Sequence, residues 1–351
     1  MIGIAAGLTA IGFRAGVEVL QRTLYGVDDI RQLHSFAEGL PWFLILVIPT
    51  IGGLIVGLLL HRFTPDGRAQ GVAEVIEGAA LNEGRIEGRA GWASALAAMI
   101  TLGTGGSSGR EGPVVHLAAL VSSKVSDWMK ADGITGRDLL GCAVAAAVSA
   151  SFNAPIAGAI FALEVVLRHF AMHAFAPIVI ASVSGTVINR LRYGDVTEYM
   201  THDDSMLSFY QELPAFLILG LISGLVAVAF MRAVFWTEGT AGSLMRRTGL
   251  PRWLRPAGAG LILGMIAIWF PHIIGVGYET TSAALTGELV LREAIVFAFV
   301  KAAAAAITLG GRMGGGVFSP SLMLGALAGL AFGHIATGLF PEVSGSETLY
   351  A

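Results

Sequence analysis

Gly105-Gly106-Ser107-Ser108-Gly109-Arg110-Glu111-Gly112-Pro113, followed shortly by His116, sets an arginine and a glutamate side by side between apolar runs. Ionisable groups at membrane depth are expensive and by default mark a pathway or a relay. Pro113 suits the first turn of a helix, where a missing N–H costs nothing. The glycines ahead of it let N–H groups turn towards a common point. A helix N-terminus of this kind is an anion site, because free donors converge and the helix dipole adds partial positive charge. Glu111 is then expected on the site itself, its carboxylate competing with a passing anion and released by protonation. A purely structural Arg110–Glu111 pair that joins helices is the alternative reading of the same residues.

The membrane setting comes from what surrounds this motif. Of 351 residues, 54% are hydrophobic and 13% charged, against roughly 25% charged in soluble domains. Asp, Glu, Lys and Arg are absent from Gly39 to Leu60, Ala90 to Gly109, Leu139 to Leu163, Leu213 to Met231, Pro256 to Gly277 and Met313 to Pro341. A helix needs about 20 apolar residues to cross the hydrocarbon core. These runs are continuous rather than alternating, which excludes a membrane β-barrel. The fold class is all-α and polytopic, with crossings or part-crossings near 1-20, 41-60, 90-105, 111-124, 139-151, 154-167, 171-189, 213-235, 254-276, 293-310 and 316-340. Met1 to Phe13 reads as the start of the first membrane helix rather than a cleaved signal. Cys142, the single cysteine, is a small packing residue. Arg62, Arg68, Arg85 and Arg89, and Arg246, Arg247 and Arg252 beyond position 236, mark cytoplasmic segments. The acidic stretch 195-212 is placed outside.

Further glycine-rich segments repeat the first design. Gly314-Gly315-Gly316-Val317-Phe318-Ser319-Pro320 again sets glycines before a proline-started apolar helix, so amides near Val317 and Phe318 are expected to face the same anion. Ser151-Phe152-Asn153-Ala154-Pro155 places Asn153 as the cap of a helix with Pro155 in its first turn. Glu164 near that helix's end is read as a buried proton acceptor or, better, an ion-pair partner of Arg168 at i+4 spacing. Arg68-Ala69-Gln70-Gly71-Val72 opens another short helix directed into the protein. Short, glycine-interrupted segments in both halves point to an inverted-repeat transporter: a first repeat over 1-192, a connecting loop 193-212 and a second repeat over 213-351.

Gly109-Arg110-Glu111-Gly112-Pro113, Gly316-Val317-Phe318-Ser319-Pro320 and Phe152-Asn153-Ala154-Pro155, in this chain, resemble the CLC family of chloride channels and chloride–proton antiporters. The resemblance implies broken, re-entrant helices and a homodimer in the lipid bilayer with one anion pathway per subunit. It implies that chloride or another small anion, and in some members protons, are the partners, with no cofactor. It makes Glu111 the gating glutamate. Gly109, Arg110, Gly112, Gly316, Val317, Phe318, Gln70 and Gly71 become anion-site residues, and Pro113, Asn153, Pro155 and Pro320 mark helix starts.

Three departures from the family pattern stand out. Gln70 takes the place of a serine that donates to the anion, which leaves nitrate, bromide and fluoride open beside chloride. Val165 follows Glu164 where proton-coupled members carry an internal glutamate, and valine holds no proton. Gly109 and Gly316 are 207 positions apart (316 − 109), so the second-half counterpart of Asn153 to Glu164 falls beyond Ala351. The family's C-terminal anion-binding tyrosine also has no clear match. The chain therefore reads as a piece of a longer protein.

Other function classes lack their signatures. His116, His173, His272 and His334 sit in no nucleophile motif, and there is neither a His-Glu-x-x-His zinc motif nor a P-loop, so an intramembrane enzyme or a metal site is not expected. A cation carrier calls for several unpaired midplane acids. No basic run suits nucleic acid.

Overall fold

In the computed structural model, residues 1–26, 32–168, 172–194, 209–341 and 346–351 are described. They form fourteen α-helices: α1 (Ile2–Tyr25), α2 (Leu33–Glu38), α3 (Trp42–Phe63), α4 (Val72–Leu81), α5 (Gly88–Gly103), α6 (Glu111–Met129), α7 (Gly133–Phe152), α8 (Pro155–Phe161), α9 (Met172–Tyr193), α10 (Phe209–Thr248), α11 (Arg255–Trp269), α12 (Tyr278–Leu285), α13 (Leu291–Gly310) and α14 (Phe318–Leu339). No strand occurs among the described residues. Six helices are long and apolar enough to span a bilayer: α1, α3, α9, α10 from Leu213, α13 and α14. The 16 residues of α5 extend about 24 Å, short of the ~30 Å core. Such a helix ends inside the protein, where its neighbours must satisfy its last carbonyls. The acidic segment 195–208 lies outside the described residues.

The two halves share a register. α5 ends at Gly103 and α13 at Gly310, while α6 opens at Glu111 and α14 at Phe318; each pair differs by the same 207 (310 − 103; 318 − 111). Pro49, Gly53 and Gly57 on α3 recur as Pro256, Gly260 and Gly264 on α11. A Cβ at Gly53 would lie 2.2 Å from the Pro256 carbonyl oxygen, and one at Gly260 would lie 2.0 Å from that of Pro49. Such reciprocal contacts are what a two-fold relation produces. Only glycine lets the two backbones come this close.

Local chemistry sets several boundaries. α1 closes where Gly26 takes the left-handed conformation (φ 70°), as C-terminal glycines do. Asp132 caps α7, its Oδ1 accepting from the Thr135 amide at 3.1 Å. The hydrogen bonds from Thr135 hold this exposed carboxyl below its ordinary pKa. A folded value below the unfolded one means that the cap stabilises above the unfolded pKa. That contribution fades as pH falls through the folded value. Asp132→Ala is therefore expected to lower the thermal midpoint slightly at pH 7, with the gap to wild type closing in acid. A gap that persists at the lowest pH would assign the loss to something other than the cap.

The structure corrects three sequence expectations. Asn153 does not cap α8; it ends α7 in the left-handed conformation (φ 56°), and Ala154 is the N-cap of α8. Asparagine tolerates that conformation, and its Oδ1 accepts from Arg190 Nε at 2.7 Å instead. Glu164 is exposed, and no ion pair joins it to Arg168. Residues Ala162–Leu167 form a π-helical turn and Arg168 leaves it at φ 58°, which removes the i+4 geometry. α10 runs 40 residues to Thr248, well past the expected end near 235. Its basic last turn, Arg246 and Arg247, complements the helix dipole. α12 starts within one residue of where α4, shifted by 207, would start (278 against 279). Cys142 is buried and free.

Candidate functional site

The two glycine-rich loops meet back to back. Gly109 N–H donates to the Gly316 carbonyl and Gly316 N–H to that of Gly109, both at 2.8 Å. On one side Ser107 N–H donates to Thr308 Oγ1 at 3.1 Å, and on the other Gly314 N–H donates to Thr101 Oγ1 at 2.9 Å. These two bonds are also related by the offset of 207. Each threonine stands near the end of α5 or α13 and satisfies the opposite loop. A Cβ at Gly314 would lie 2.6 Å from Ala98 Cα, so the loop fits against α5 only as glycine. The brace holds the first turns of α6 and α14 beside one another.

The donors left over are those of the helix starts. Glu111, Gly112, Val317, Phe318 and Ser319 offer N–H groups with no acceptor among the described residues. Proline as the third residue of each helix (Pro113, Pro320) carries no N–H at all. Gly109 and Gly316, expected to be anion donors, are spent on each other and act as the brace. Gly71 is likewise spent: its N–H donates to Glu74 Oε2 at 2.6 Å. Gln70 N–H goes to Ser94 Oγ at 2.9 Å, and the Gln70 side-chain Oε1 is buried without a partner. α4 nevertheless reaches the site. The point where a Gly112 Cβ would stand is 3.9 Å from Val72 Cγ2 and 3.3 Å from Gly316 Cα, so three helix starts converge.

Glu111 is buried at 4% exposure. Its Oε2 accepts from Ser319 Oγ at 2.6 Å. The Cβ point of Gly109 lies 2.6 Å from that carboxylate oxygen and 3.0 Å from the Ser319 amide nitrogen. The carboxylate of α6 thus stands at the N-terminus of α14, where an anion is favoured. Ser319 belongs to the second motif, yet its role is invisible in sequence because its partner lies 208 residues away. Arg110 Nε is 4.0 Å from Glu111 Oε1. The guanidinium also donates to the Ser151 carbonyl at 3.3 Å and lies 5.3 Å from the centre of the Tyr278 ring. These contacts hold Arg110 beside Glu111 while dividing its guanidinium among three partners. A small cavity of about 30 Å³ borders Arg110, Tyr278 and Glu279, enough for a water molecule.

The third motif supplies walls. Phe152, at the end of α7, packs on Phe318 with ring centres 5.2 Å apart, and Phe161, at the end of α8, at 6.4 Å. Val317 and Phe318 stay half exposed beside the fully buried Ser319. Lys301 is a further residue that sequence reading passes over. It is fully buried on α13 and donates to the carbonyls of Ile273 and Gly275 at 3.2 and 2.9 Å. It sits 207 positions after Ser94 (301 − 94), and each ties its helix to the approach of a short helix, α12 or α4. Neither ring nitrogen of buried His116 has a partner, so no hydroxyl is activated there. No metal-holding cluster of His, Cys, Asp and Glu occurs among the described residues.

Comparison with known proteins agrees with this architecture. The family model described as "Voltage gated chloride channel" matches residues 52–351. A ClcB-like protein of Ralstonia nicotianae is 31% identical over the whole of this chain and 81% of its own length. Among solved structures, a slow cyanobacterial Cl−/H+ antiporter superposes with a TM-score of 0.82 at 21% identity, covering 97% of this chain and 79% of that one. A CLC-type fluoride/proton antiporter does so with 0.76 at 22% identity, covering 97% and 80%. At such identities the structures show a shared fold alone. The chain is a multi-pass integral membrane protein and no enzyme, and it belongs to the CLC family of voltage-gated chloride channels and transporters.

Proposed function

We propose that this protein passes chloride or a similar small anion through a waist formed by the starts of α4, α6 and α14, with Glu111 as the gate. The observation that carries this reading is the Glu111 carboxylate seated against Ser319 at the N-terminus of α14. Ionised, it fills the position that an anion would take and is held by the helix dipole and a charge-assisted hydrogen bond. Protonated, it loses both attractions and leaves the amides of Glu111, Gly112, Val317 and Phe318 to the anion. The cavity beside Arg110 has room for a water molecule, which supports protonation from that side. The reading uses two inverted repeats, 1-192 and 213-351, supported by the shared register, and a homodimer, as in the family.

Val165 is exposed in the π-helical turn and carries no proton, which favours uncoupled passage. Proton-coupled exchange is the second reading, supported by the fold shared with the two antiporters and by a gate that must itself take up a proton. The deciding experiment reconstitutes the protein in liposomes and records chloride efflux and external pH together. Chloride movement with opposed proton movement establishes exchange without a glutamate at 165. Chloride movement alone establishes an uncoupled pathway. An absence of chloride, nitrate and fluoride flux defeats the proposal. Because Gln70 N–H is taken by Ser94, selectivity at this wall rests on its side-chain amide.

Ser319→Ala probes the latch separately. A hydrogen bond to a charged group contributes about 1.5–3 kcal/mol, so loosening it should shift the pH at which flux is half maximal upward by about one unit or more. The sign follows from the bond's preference for ionised Glu111: without it, protonation is easier and opening occurs at higher pH. An unmoved pH midpoint would mean that Ser319 does not hold the gate.

A further inference from the structure

A second cavity, of about 860 Å³, opens where α3 and α10 end and α11 begins. Its lining includes His61, Arg68, Arg246, Arg252, Arg255 and Arg312. The Lys/Arg rule assigns this side to the cytoplasm. The fold gathers here two basic segments that are far apart in sequence.

The charges are not balanced by carboxylates. Glu238 lies 3.9 Å from Arg68 and 3.4 Å from Arg312, and Asp66 also lines the cavity. Five guanidinium groups thus face two carboxylates. Arg255 is 7% exposed, and it donates to the Glu238 and Gly310 carbonyls through one nitrogen while its buried Nε has no partner. The Nε of Arg312 is buried and unpartnered as well. Arg246 and Arg255 converge at Gly242: their Nη1 atoms lie 3.6 and 3.7 Å from the point where a Cβ would stand. Two like charges aimed at one open spot, with unused donors behind them, call for an anion between them. No lysine lines this cavity, and the planar guanidinium fork matches phosphate oxygens. The volume far exceeds the needs of a single halide.

We propose that this cavity is a binding site for a phosphate-bearing ligand, distinct from the Glu111 gate. The phosphate belongs either to a soluble polyphosphate or to the headgroup of an acidic lipid of the inner leaflet. Either would neutralise the guanidinium cluster and bridge the ends of α3, α10 and α11.

The test uses the full-length protein in phosphatidylcholine nanodiscs, titrated calorimetrically with inorganic pyrophosphate. In parallel, nanodiscs containing phosphatidic acid are analysed by native mass spectrometry for retained lipid. The double variant Arg246→Gln/Arg252→Gln removes two exposed charges that make no hydrogen bond or ion pair among the described residues. Gly242→Leu fills the space between the two guanidinium groups without changing charge. Unaltered chloride flux in both variants confirms folding. Pyrophosphate binding that falls at least about tenfold in both variants, and weakens with salt, supports the site with a soluble ligand. Retained phosphatidic acid, lost in both variants while pyrophosphate fails to bind, supports it with a lipid ligand. Probe binding that is equal in wild type and variants overturns the proposal. A variant that lowers chloride flux, with no phosphate or lipid difference, overturns it too and makes the cavity the inner mouth of the anion path.

Discussion

Glu111→Gln should raise chloride flux at pH 7 by roughly tenfold or more and flatten its pH response. Three contributions hold the wild-type side chain in the waist. The charge-assisted bond from Ser319 Oγ at 2.6 Å is worth about 1.5–3 kcal/mol. The first turn of α14 adds roughly 0.3–1 kcal/mol through its dipole. The third is the attraction of the neighbouring Arg110, 4.0 Å away. Glutamine keeps the shape and still accepts from Ser319, but it carries no charge for the dipole, for Arg110 or for a proton to cancel. Glu111→Ala should go further, since it also clears the volume. The measurement is chloride efflux from liposomes across pH 4.5 to 8. Flux in both variants that still tracks pH as in wild type would show that another group gates the path.

The second large effect is expected at the two-fold contact of α3 with α11. Gly53→Val and Gly260→Val each drive a branched side chain into a carbonyl oxygen of the facing helix, 2.2 and 2.0 Å from where its Cβ must stand. The obstacle is backbone, so no rotamer change relieves it. Overpacking usually costs about 1–3 kcal/mol, and occasionally more. Here the cost should lie at or above the top of that range, because the two helices must separate over their whole contact. Each variant should lose most of its monodisperse peak in detergent size-exclusion chromatography, with a thermal midpoint several degrees lower in what remains. Gly258→Val, on the same α11 with nothing within 4 Å of its Cβ position, is the control and should behave as wild type. Equal behaviour of Gly258→Val and Gly260→Val would mean that the close approach is not needed.

These two predictions differ in how far they can be read from the chain alone. Glu111 is legible because its signals are local. A charge between apolar runs, glycines ahead of it and a proline just after it each act within a few residues. The same holds for Val317 and Phe318, and for α1 as a helix long and apolar enough to span a bilayer. The glycine pattern of α3 and α11 is present in sequence as Pro-x-x-x-Gly-x-x-x-Gly at the same offset of 207, but its meaning needs the facing helix. Asn153 misleads for a related reason. Asparagine suits both an N-cap and a left-handed C-terminal residue, and only the neighbouring Arg190 decides between them.

Sequence by itself determined the membrane class, the all-α fold, the repeat offset and the position of an acid at a helix start, because hydropathy, helix starts and glycine punctuation are short-range physics. The tertiary structure alone decided which amides remain free. Gly109 and Gly316 spend theirs on each other, Gly71 on Glu74 and Gln70 on Ser94. It alone paired Ser319 with Glu111, and it alone gathered Arg68, Arg246, Arg255 and Arg312 around one cavity. A hydrogen bond is satisfied by whichever group arrives opposite, and across some 200 residues that is settled only when the two halves close on each other.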